Sequence, residues 1–480
     1  MKTGFLGAAY TSRSPILASQ TAINIYPELV EASGSEVGGF YGTPGRQSVF
    51  QGSGEVRGLW VTSGSSPGQY RLFAVIGSTV YRLDSNYIAT NLGTLPNSSG
   101  RVSMVDNGTQ IAIAHQDGIH WVALTGTAIA PVTNAPLGAV LSALDNYVVF
   151  TQNIGGEFGI TALGDLSTID PLDVATAEGW PDDCVSLLIT QREVVLFGTE
   201  TAEVWSDTGA ALFPLERTPG GFIEQGCAAK WSPAKLDNSA FWLGRDRNGR
   251  GIAYRSNGYT PVRISTHAME TEWLTYGDIS DAIGFAYQEE GHSFYVLVFP
   301  NGNTTWAYDI ATKLWHQRAY MDIEGILNRD RANCYAFFNS DHLVGDYQNG
   351  KIYRMDLDLL TDDGTPIYRE RAWDFPDSSG DEIEHKKLRI DLLEVLALTG
   401  DGDGDGAGGA PQMWAQISKD AGRTWGYERF QKLGKIGQRK ARARWRRMGA
   451  GRDVVMRVAT NMTQQVQWVN AFWDGEVLAK

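Results

Sequence analysis

The sequence predicts an all-β fold: a β-propeller body of about six or seven blades, an N-terminal extended arm and a C-terminal β-sandwich-like domain. The first observation behind this is composition, because the 480 residues include 55 glycines, 15 tryptophans and 19 tyrosines. Many glycines beside many aromatic residues are typical of strands joined by tight turns. The second is a recurring strand–turn–strand unit, and the third is a change of composition after residue 356.

Residues 1–54 are predicted to form the arm. INIYPELVE at 23–31 alternates apolar and polar residues around a proline, and GGFYGTPGR at 38–46 is rich in turn-forming residues. Both patterns indicate extended chain interrupted by turns.

Residues 55–360 are predicted to form the propeller. Seven candidate units begin near residues 56, 101, 139, 184, 226, 281 and 324, a spacing of about 40 to 55 residues that is typical of four-stranded blades. Most units carry an apolar strand, a polar turn such as PNGN or YQNG, and a second strand that is often aromatic. This is the pattern of a β-hairpin.

Residues 361–480 are predicted to form the C-terminal β domain. MWAQIS, RDVVMRVAT and QQVQWVNAFWD alternate as strands do, whereas HKKLRIDLLEVLAL fits either a strand or a helix. The Gly/Asp-rich segment 399–411 contains six glycines. We expect it to be a mobile loop, because ordering glycine costs much conformational entropy.

Bulk properties exclude several function classes. The formal net charge of −14 argues against a protein that binds nucleic acid through its whole surface. Three widely spaced cysteines predict buried reduced thiols rather than disulfides or a zinc site. The sequence shows no signal-peptide pattern and no span long enough to insert in a membrane. The acidic pairs Asp182–Asp183 and Asp362–Asp363 are predicted to lie in surface turns.

The Gly/Asp-rich loop resembles two ligand motifs incompletely. Asp401, Asp403, Asp405 and Gly406 fit the first half of a calcium loop, but its twelfth position is Gln412 rather than glutamate. A G-x-G-x-x-G match in the same loop carries interleaved aspartates that repel phosphate. We therefore predict no metal and no cofactor, with calcium at 401–412 left open.

SKDAGRTW at 418–425 fits the Asp-box pattern S-x-D-x-G-x-T-W. Ser418 and Asp420 are expected to bond backbone amides, Gly422 to supply a positive φ, and Trp425 to pack under the hairpin. A sialidase also needs an arginine triad and a tyrosine–glutamate pair. We therefore predict a structural turn, with a propeller glycosidase acting on host surface polysaccharide as the alternative. The sequence contains no nucleophile elbow, P-loop or HExxH motif either, so it predicts no enzyme.

A basic run follows the Asp box. Between Lys432 and Arg457 there are ten lysines and arginines and one acid. If RKARARWRR at 439–447 is a strand, alternate residues share a face. One face then holds Lys440, Arg442, Arg444 and Arg446, with Arg447 next, and the other holds Ala441, Ala443 and Trp445. Three interpretations remain: a solvated face, pairing with the acidic stretch 356–384 of the same or a neighbouring subunit, or contact with DNA phosphates.

These segments resemble a known family. INIYPELVE with FYGTPG, GRVSM at 100–104, and the run from SKDAGRTW to RWRRMGAGRDVVMRV at 418–458 are similar to the packaged-DNA stabilisation proteins of short-tailed bacteriophages. These proteins form the tail hub, or nozzle. The arm and the last 60 or so residues carry the match, and the middle is similar mainly in length and style of repeat.

The resemblance implies a structural virion protein with no catalytic residues. It implies a homohexameric ring that forms part of the DNA channel, closes the tail after packaging and guides DNA ejection. Its implied partners are other copies of itself, the portal-adaptor protein, tail needle or fibre and spike proteins, and the genomic DNA. It also implies synthesis in the host cytoplasm and a final place in the tail of the virion, without membrane insertion.

Overall fold

The computed structural model describes the chain outside residues 1–3, 17, 31–37, 64–70, 153–154, 178, 211–212, 247, 375–386, 399–411, 434–439, 464, 466 and 479–480. The N-terminal segment contributes five strands. These are β1 (Tyr10–Thr11), β2 (Ser19–Ile23), β3 (Ile25–Leu29), β4 (Gly38–Gly42) and β5 (Gly45–Gln51).

The first four blades are four-stranded antiparallel sheets that follow one another along the chain. Blade 1 holds β6 (Val56–Val61), β7 (Leu72–Ile76), β8 (Thr79–Leu83) and β9 (Ala89–Thr94). Blade 2 holds β10 (Ser103–Asp106), β11 (Gln110–His115), β12 (Gly118–Ala123) and β13 (Ala130–Pro131). Blade 3 holds β14 (Leu141–Leu144), β15 (Tyr147–Thr151), β16 (Glu157–Ile160) and β17 (Val174–Thr176). Blade 4 holds β18 (Cys184–Thr190), β19 (Glu193–Gly198), β20 (Ala202–Asp207) and β21 (Leu215–Ile223).

Three further blades complete the ring. Blade 5 holds β22 (Ala234–Leu236), β23 (Ser239–Arg245), β24 (Gly251–Asn257) and β25 (Thr260–Arg263). A short helix α1 (His267–Trp273) and a 3₁₀ turn (Leu274–Tyr276) follow it. Blade 6 holds β26 (Ile283–Glu289), β27 (His292–Phe299), β28 (Thr304–Asp309) and β29 (Leu314–Met321), with β30 (Leu327–Arg329) beside β29. Blade 7 holds β31 (Ala332–Phe338), β32 (Asp341–Asp346) and β33 (Lys351–Asp356).

The ring closes with a strand from the arm. β5 pairs antiparallel with β33 and so supplies the outer strand of blade 7, while the inner strand β31 packs against β6 of blade 1. Within the described residues, seven four-stranded units therefore make up the propeller. The all-β fold that the sequence predicts is confirmed, and its seven candidate units correspond to seven blades.

The local sequence explains why each blade forms. The second strand of a blade lies between two neighbouring blades, so it is apolar on both faces, as in LFAVI of β7, where every side chain is buried. The hairpin turns use residues that tolerate a positive φ: Asn303 in PNGN has φ +48° and Gly350 in YQNG has φ +71°.

The C-terminal domain is a sandwich of two sheets that also take in strands from the arm. Two short strands, β34 (Thr361–Asp362) and β35 (Thr365–Pro366), lead into it from blade 7. One sheet has the order β3-β4-β42-β37-β40 and the other the order β2-β36-β41-β38-β39. The strands of the domain itself are β36 (Arg369–Asp374), β37 (Lys387–Leu398), β38 (Gln412–Ser418), β39 (Arg429–Lys432), β40 (Ala441–Gly451), β41 (Val455–Thr460) and β42 (Gln467–Leu478). Residues 387–398, which fit either a strand or a helix in the sequence, are a strand.

Strand β2 joins the two domains. It pairs antiparallel with β36 of the sandwich and, through Ile23 and Gln317, parallel with β29 of blade 6. The second sandwich sheet is therefore continuous with blade 6. Phe5 lies fully buried between the two sheets of the sandwich, with its ring centroid 4.9 Å from Trp373 of β36 and 5.5 Å from Phe40 of β4, both edge-on. The predicted arm is extended, and it is also part of both domain cores.

Arg371 of β36 holds this arm in place. Its side chain is fully buried, and its guanidinium donates to the carbonyl oxygens of Phe5 (2.8 Å), Ala8 (3.1 Å) and Thr21 (3.1 Å) and to Oε1 of Gln20 (2.7 Å). Burial lowers the pKa of Arg371 to about 9. The side chain of Arg371 thus satisfies four hydrogen-bond acceptors of the arm.

Candidate functional site

The Asp box forms a closed turn after β38. Ser418 is fully buried and its Oγ accepts from the amide of Gly422 (2.9 Å) and donates to Oδ1 of Asp420 (2.7 Å). Asp420 accepts from the amide (2.9 Å) and the hydroxyl (2.6 Å) of Thr424. Gly422 has φ +85°. The guanidinium of Arg457 lies 4.1 Å from the ring centroid of Trp425.

The carboxylate of Asp420 already accepts hydrogen bonds from groups within the turn. The hydroxyl of Thr424, then its amide, then the hydroxyl of Ser418 lower the pKa of Asp420 to about 2. A carboxylate held ionised by donors of its own turn is poorly suited to general acid catalysis near neutral pH. The octet orients the chain between β38 and β39, and its polar groups serve that turn.

The Arg-rich run forms β40, with a buried and an exposed face. Trp445 is buried in the sandwich core, and its indole nitrogen donates to the carbonyl of Arg429 in β39 (2.5 Å). Arg442 and Arg444 project to solvent with 55% and 53% of their side chains exposed. The alternation continues as far as Arg446 and is broken at Arg447, which has φ +58°. Ala441 and Ala443 are buried, and Lys440, Arg446 and Arg447 are exposed.

Two of these arginines share one carboxylate. Arg442 bonds Oε1 and Arg444 bonds Oε2 of Glu394 on the neighbouring strand β37, and only 9% of the Glu394 side chain is exposed. Burial raises the pKa of Glu394, but the hydrogen bonds from Arg444 and Arg442 outweigh it, so the pKa lies below its ordinary value. This partner lies outside the acidic stretch 356–384 that the sequence analysis considered.

The other cations of this run are Lys440, just before β40, and Arg446 and Arg447 within it. Within the described part of the chain, no carboxylate lies within ion-pair distance of Lys440, Arg446 or Arg447. We call Lys440, Arg442, Arg444, Arg446 and Arg447 the basic surface. It carries five positive charges beside one carboxylate.

The basic surface lies at a sheet edge. Among the described strands, β40 is paired with β37 and lies at the end of its sheet, and β39 lies at the end of the other sheet. Arg429 joins the two edges, because its Nη1 donates to the carbonyls of Arg446 (3.0 Å) and Arg447 (2.9 Å). Tyr427 and Phe430 beside it are 94% and 53% exposed. Exposed tyrosine and arginine at a sheet edge are typical of protein interfaces.

The sequence analysis missed this neighbouring strand. YERF at 427–430 alternates aromatic and charged residues, which is the available signal. It is too short to predict a strand or its position beside β40.

The prediction for Asp362–Asp363 is correct for one residue and wrong for the other: Asp363 lies in the turn between β34 and β35, whereas Asp362 is largely buried. Only 13% of the Asp362 side chain is exposed, 3.7 Å from Arg46 and 3.5 Å from Arg331. Arg46 also bonds Asp330, and Arg331 lies 3.0 Å from Asp346. Burial raises the pKa of Asp362, against the two arginines. Asp362 belongs to an ionic cluster beside the strand β5, which pairs with blade 7. Ion pairs with Arg46 and Arg331 offset part of the cost of its burial.

Asp182 also has a structural role, since it accepts the amides of Glu200 (2.8 Å) and Thr201 (3.0 Å).

Other predicted features are located as follows. Cys184, Cys227 and Cys334 are unpaired thiols, and burial raises the pKa of each. Among the described residues, no three His, Cys, Asp or Glu side chains are placed to hold a metal ion. The calcium-like loop lies outside the described residues except for Gln412, which begins β38. No helix in the described ranges has the length and hydropathy of a bilayer span.

Comparison with protein families gives two matches that together cover most of the chain. Residues 5–360 match the family described as "Bacteriophage P22 Gp10, beta-propeller", and residues 382–475 match the family described as "Bacteriophage P22 Gp10, beta-sandwich". No curated protein matches the chain.

Several solved structures are distantly similar. The extracellular domain of BT4673 from B. thetaiotaomicron matches with 10% identity and a TM-score of 0.44, over 65% of this chain and 40% of that one. The chain thus spans about two fifths of that domain. The WD40 propeller domain of Doa1 matches with 12% identity and a TM-score of 0.40, over 65% and 96%. Virginiamycin B lyase from Staphylococcus aureus matches with 10% identity and a TM-score of 0.38, over 65% and 98%.

Proposed function

Because the chain belongs to the family of bacteriophage P22 Gp10, a structural protein of the phage tail, we propose that it forms a homohexameric tail hub, or nozzle. In this role the ring lines part of the DNA channel, closes the tail after genome packaging and guides DNA during ejection. The observation that carries the proposal is the pair of family matches, which take in the propeller and the sandwich of a single chain.

The basic surface supports a role in assembly. It presents more positive charge than Glu394 neutralises, on a chain whose formal net charge is −14. A neighbouring copy of so acidic a chain offers many carboxylates, and planar guanidinium groups bind carboxylates in defined geometry. We assign the basic surface to the contact with a neighbouring subunit or with the portal-adaptor protein.

The overall charge supports a role as a conduit for DNA. A wall of negative potential repels the phosphate backbone and so does not hold DNA that must move past it. The strongly acidic balance of the chain is suited to this, provided that the cations of β40 are taken up by protein contacts. Tail needle, fibre or spike proteins are the partners proposed for the opposite end of the ring.

The glycosidase alternative has no support from the Asp box. The carboxylate of Asp420 is engaged by Ser418 and Thr424 in a turn outside the propeller. A retaining or inverting glycosidase needs two carboxyl groups facing one bond, and this turn presents one that is already bonded. We therefore propose a binding and assembly role without catalysis, with synthesis in the host cytoplasm and a final location in the virion tail.

Charge reversal of the basic surface tests the assembly role. Arg442→Glu with Arg444→Glu should prevent ring formation, or raise the concentration needed for it at least about tenfold (1.4 kcal/mol), as measured by light scattering and electron microscopy. A second double variant, Lys440→Glu with Arg446→Glu, leaves the Glu394 pairs intact and should act in the same direction.

The matched control reverses two exposed arginines of the propeller, Arg192→Glu with Arg250→Glu, and should assemble normally. Normal assembly of both basic-surface variants would contradict the assigned role of β40. Equal loss of assembly in the control would show a general effect of charge rather than a specific surface.

A further inference from the structure

A groove lies between blades 4 and 5 on one face of the propeller. It is lined by the segment before β18, the turn between β19 and β20, the end of β21 and the turn between β23 and β24. Antiparallel strands alternate in direction, so these turns leave their blades on the same face. The groove has a volume of about 700 Å³ and continues past Phe222 into a second depression of about 290 Å³. Both are in or near the size range of ligand pockets, roughly 300–1,000 Å³.

Trp180 lines this groove, and hydrogen bonds anchor the backbone on both sides of it. The amide of Gly179 donates to the carboxylate of Glu203, and the carboxylate of Asp182 accepts the amides of Glu200 and Thr201 at 2.8 and 3.0 Å. Between these anchors, Trp180 leaves 49% of its side chain exposed. The backbone around Trp180 is thus anchored, and its indole lines the open groove.

A second aromatic side chain separates the two parts of the groove. Phe222 of β21 is 37% exposed and lines both depressions. Two exposed aromatic surfaces in one groove favour a ligand with apolar faces, because covering them removes apolar area from water.

The groove is lined by both hydrogen-bond acceptors and donors. The carboxylates of Glu200 and Glu224 line it, and neither forms a hydrogen bond or ion pair with a described residue. Gln225 accepts the hydroxyl of Tyr254 with its Oε1 (3.0 Å), and its amide nitrogen donates to no described residue. Arg245 is tied by one nitrogen to the carbonyl of Ala228 (3.3 Å). The ligand that fits must therefore present donors for the two carboxylates and acceptors for Gln225 and Arg245, as well as apolar faces.

This combination selects among ligand classes. Free carboxylates repel phosphates and other anions, and a purely apolar ligand leaves them without hydrogen bonds at a cost. A neutral sugar ring has an apolar face of C–H groups that packs on an aromatic ring, and hydroxyls at its edge that donate to carboxylates. We propose that the groove between blades 4 and 5 binds a neutral saccharide of two or more rings, with one ring on Trp180 and the next beside Phe222. The proposal is independent of the basic surface and of ring assembly.

The test uses the full chain and an array of neutral di- to tetrasaccharides built from hexoses and N-acetylhexosamines. The best binder is then titrated by calorimetry and by tryptophan fluorescence. Trp180→Ala should weaken its binding at least tenfold and remove the fluorescence change. Phe337→Ala, which removes an exposed aromatic ring from blade 7 outside the groove, should bind as the wild type does.

A second variant and a second probe complete this experiment. Glu200→Gln with Glu224→Gln keeps both aromatic rings and should also weaken binding, so that a folding defect of the Trp180 variant does not decide the outcome. An oligolysine peptide serves as the cationic probe. Binding of oligolysine without binding of any saccharide would overturn the proposal in favour of a basic peptide site. Absence of saccharide binding on the array, or binding unaffected by both variants, would also overturn it.

Discussion

The sandwich uses arginine in two opposite ways on two of its strands. Arg371 of β36 is fully buried, and among the described residues its guanidinium donates to acceptors of the arm. Arg442 and Arg444 of β40 are more than half exposed and share one carboxylate. The same residue type thus stabilises the fold where it is buried among carbonyls, and presents free charge where it lies at a sheet edge. Burial and partners, rather than residue type, separate the fold from the candidate interface.

The largest expected effect is the loss of stability when the buried Arg371 is replaced. Arg371→Met leaves several buried acceptors of the arm without a donor, at about 1–3 kcal/mol for each. We expect the free energy of unfolding to fall by at least about 3 kcal/mol, as measured by denaturant unfolding. Arg442→Met is the matched control and should cost about 1 kcal/mol, because Arg442 is more than half exposed and Arg444 still bonds Glu394. If both variants lower the free energy of unfolding equally, the buried and the exposed arginines do not differ in their contribution to stability.

A smaller effect is expected from the carboxylate that the two exposed arginines share. Glu394→Gln removes the negative charge beside Arg442 and Arg444 and so frees both guanidinium groups. Retention on a polyanionic column should increase, in a salt-dependent way, while stability changes little. Asp391→Asn is the control, because Asp391 pairs with Arg389 on the same strand. If Glu394→Gln elutes with the wild type, the arginines of β40 do not form an anion-binding surface.

The smallest expected effect concerns the turn that precedes the basic surface. The donors of Thr424 and Ser418 lower the pKa of Asp420 from 3.8 to about 2. A lowered pKa means that the contribution of this carboxylate is complete above about pH 4 and is lost as the pH falls through 2. The amide resonance of Thr424 should therefore titrate with a midpoint near 2, and Asp420→Asn should abolish this transition. A midpoint near 3.8 would show that the turn does not hold the carboxylate.

Much of the fold follows from the sequence because each blade is specified locally. Alternation within a hairpin, and turns such as PNGN and YQNG, need only neighbouring residues. The alternation of RKARARWRR likewise indicated which side chains of β40 face solvent. These features depend on a period of two along a single strand, which is visible in one sequence.

The contacts that join distant segments did not follow from the sequence. Nothing near Arg371 shows that it donates to Phe5, and nothing near Gly45–Gln51 shows that this strand completes blade 7. The position of Glu394 beside two arginines depends on the register of β37 against β40. Such pairings are set by tertiary packing and register, and local pattern carries no information on them. For the same reason Asp362 looked like a surface residue.

The most direct test of the central claim is the structure of the intact particle by electron cryomicroscopy. The account predicts six copies of this chain in a ring of the tail, with the exposed face of β40 against a neighbouring copy or the portal-adaptor protein. A particle in which the chain is absent from the tail, or in which Arg442 and Arg444 face solvent throughout the assembly, would contradict it.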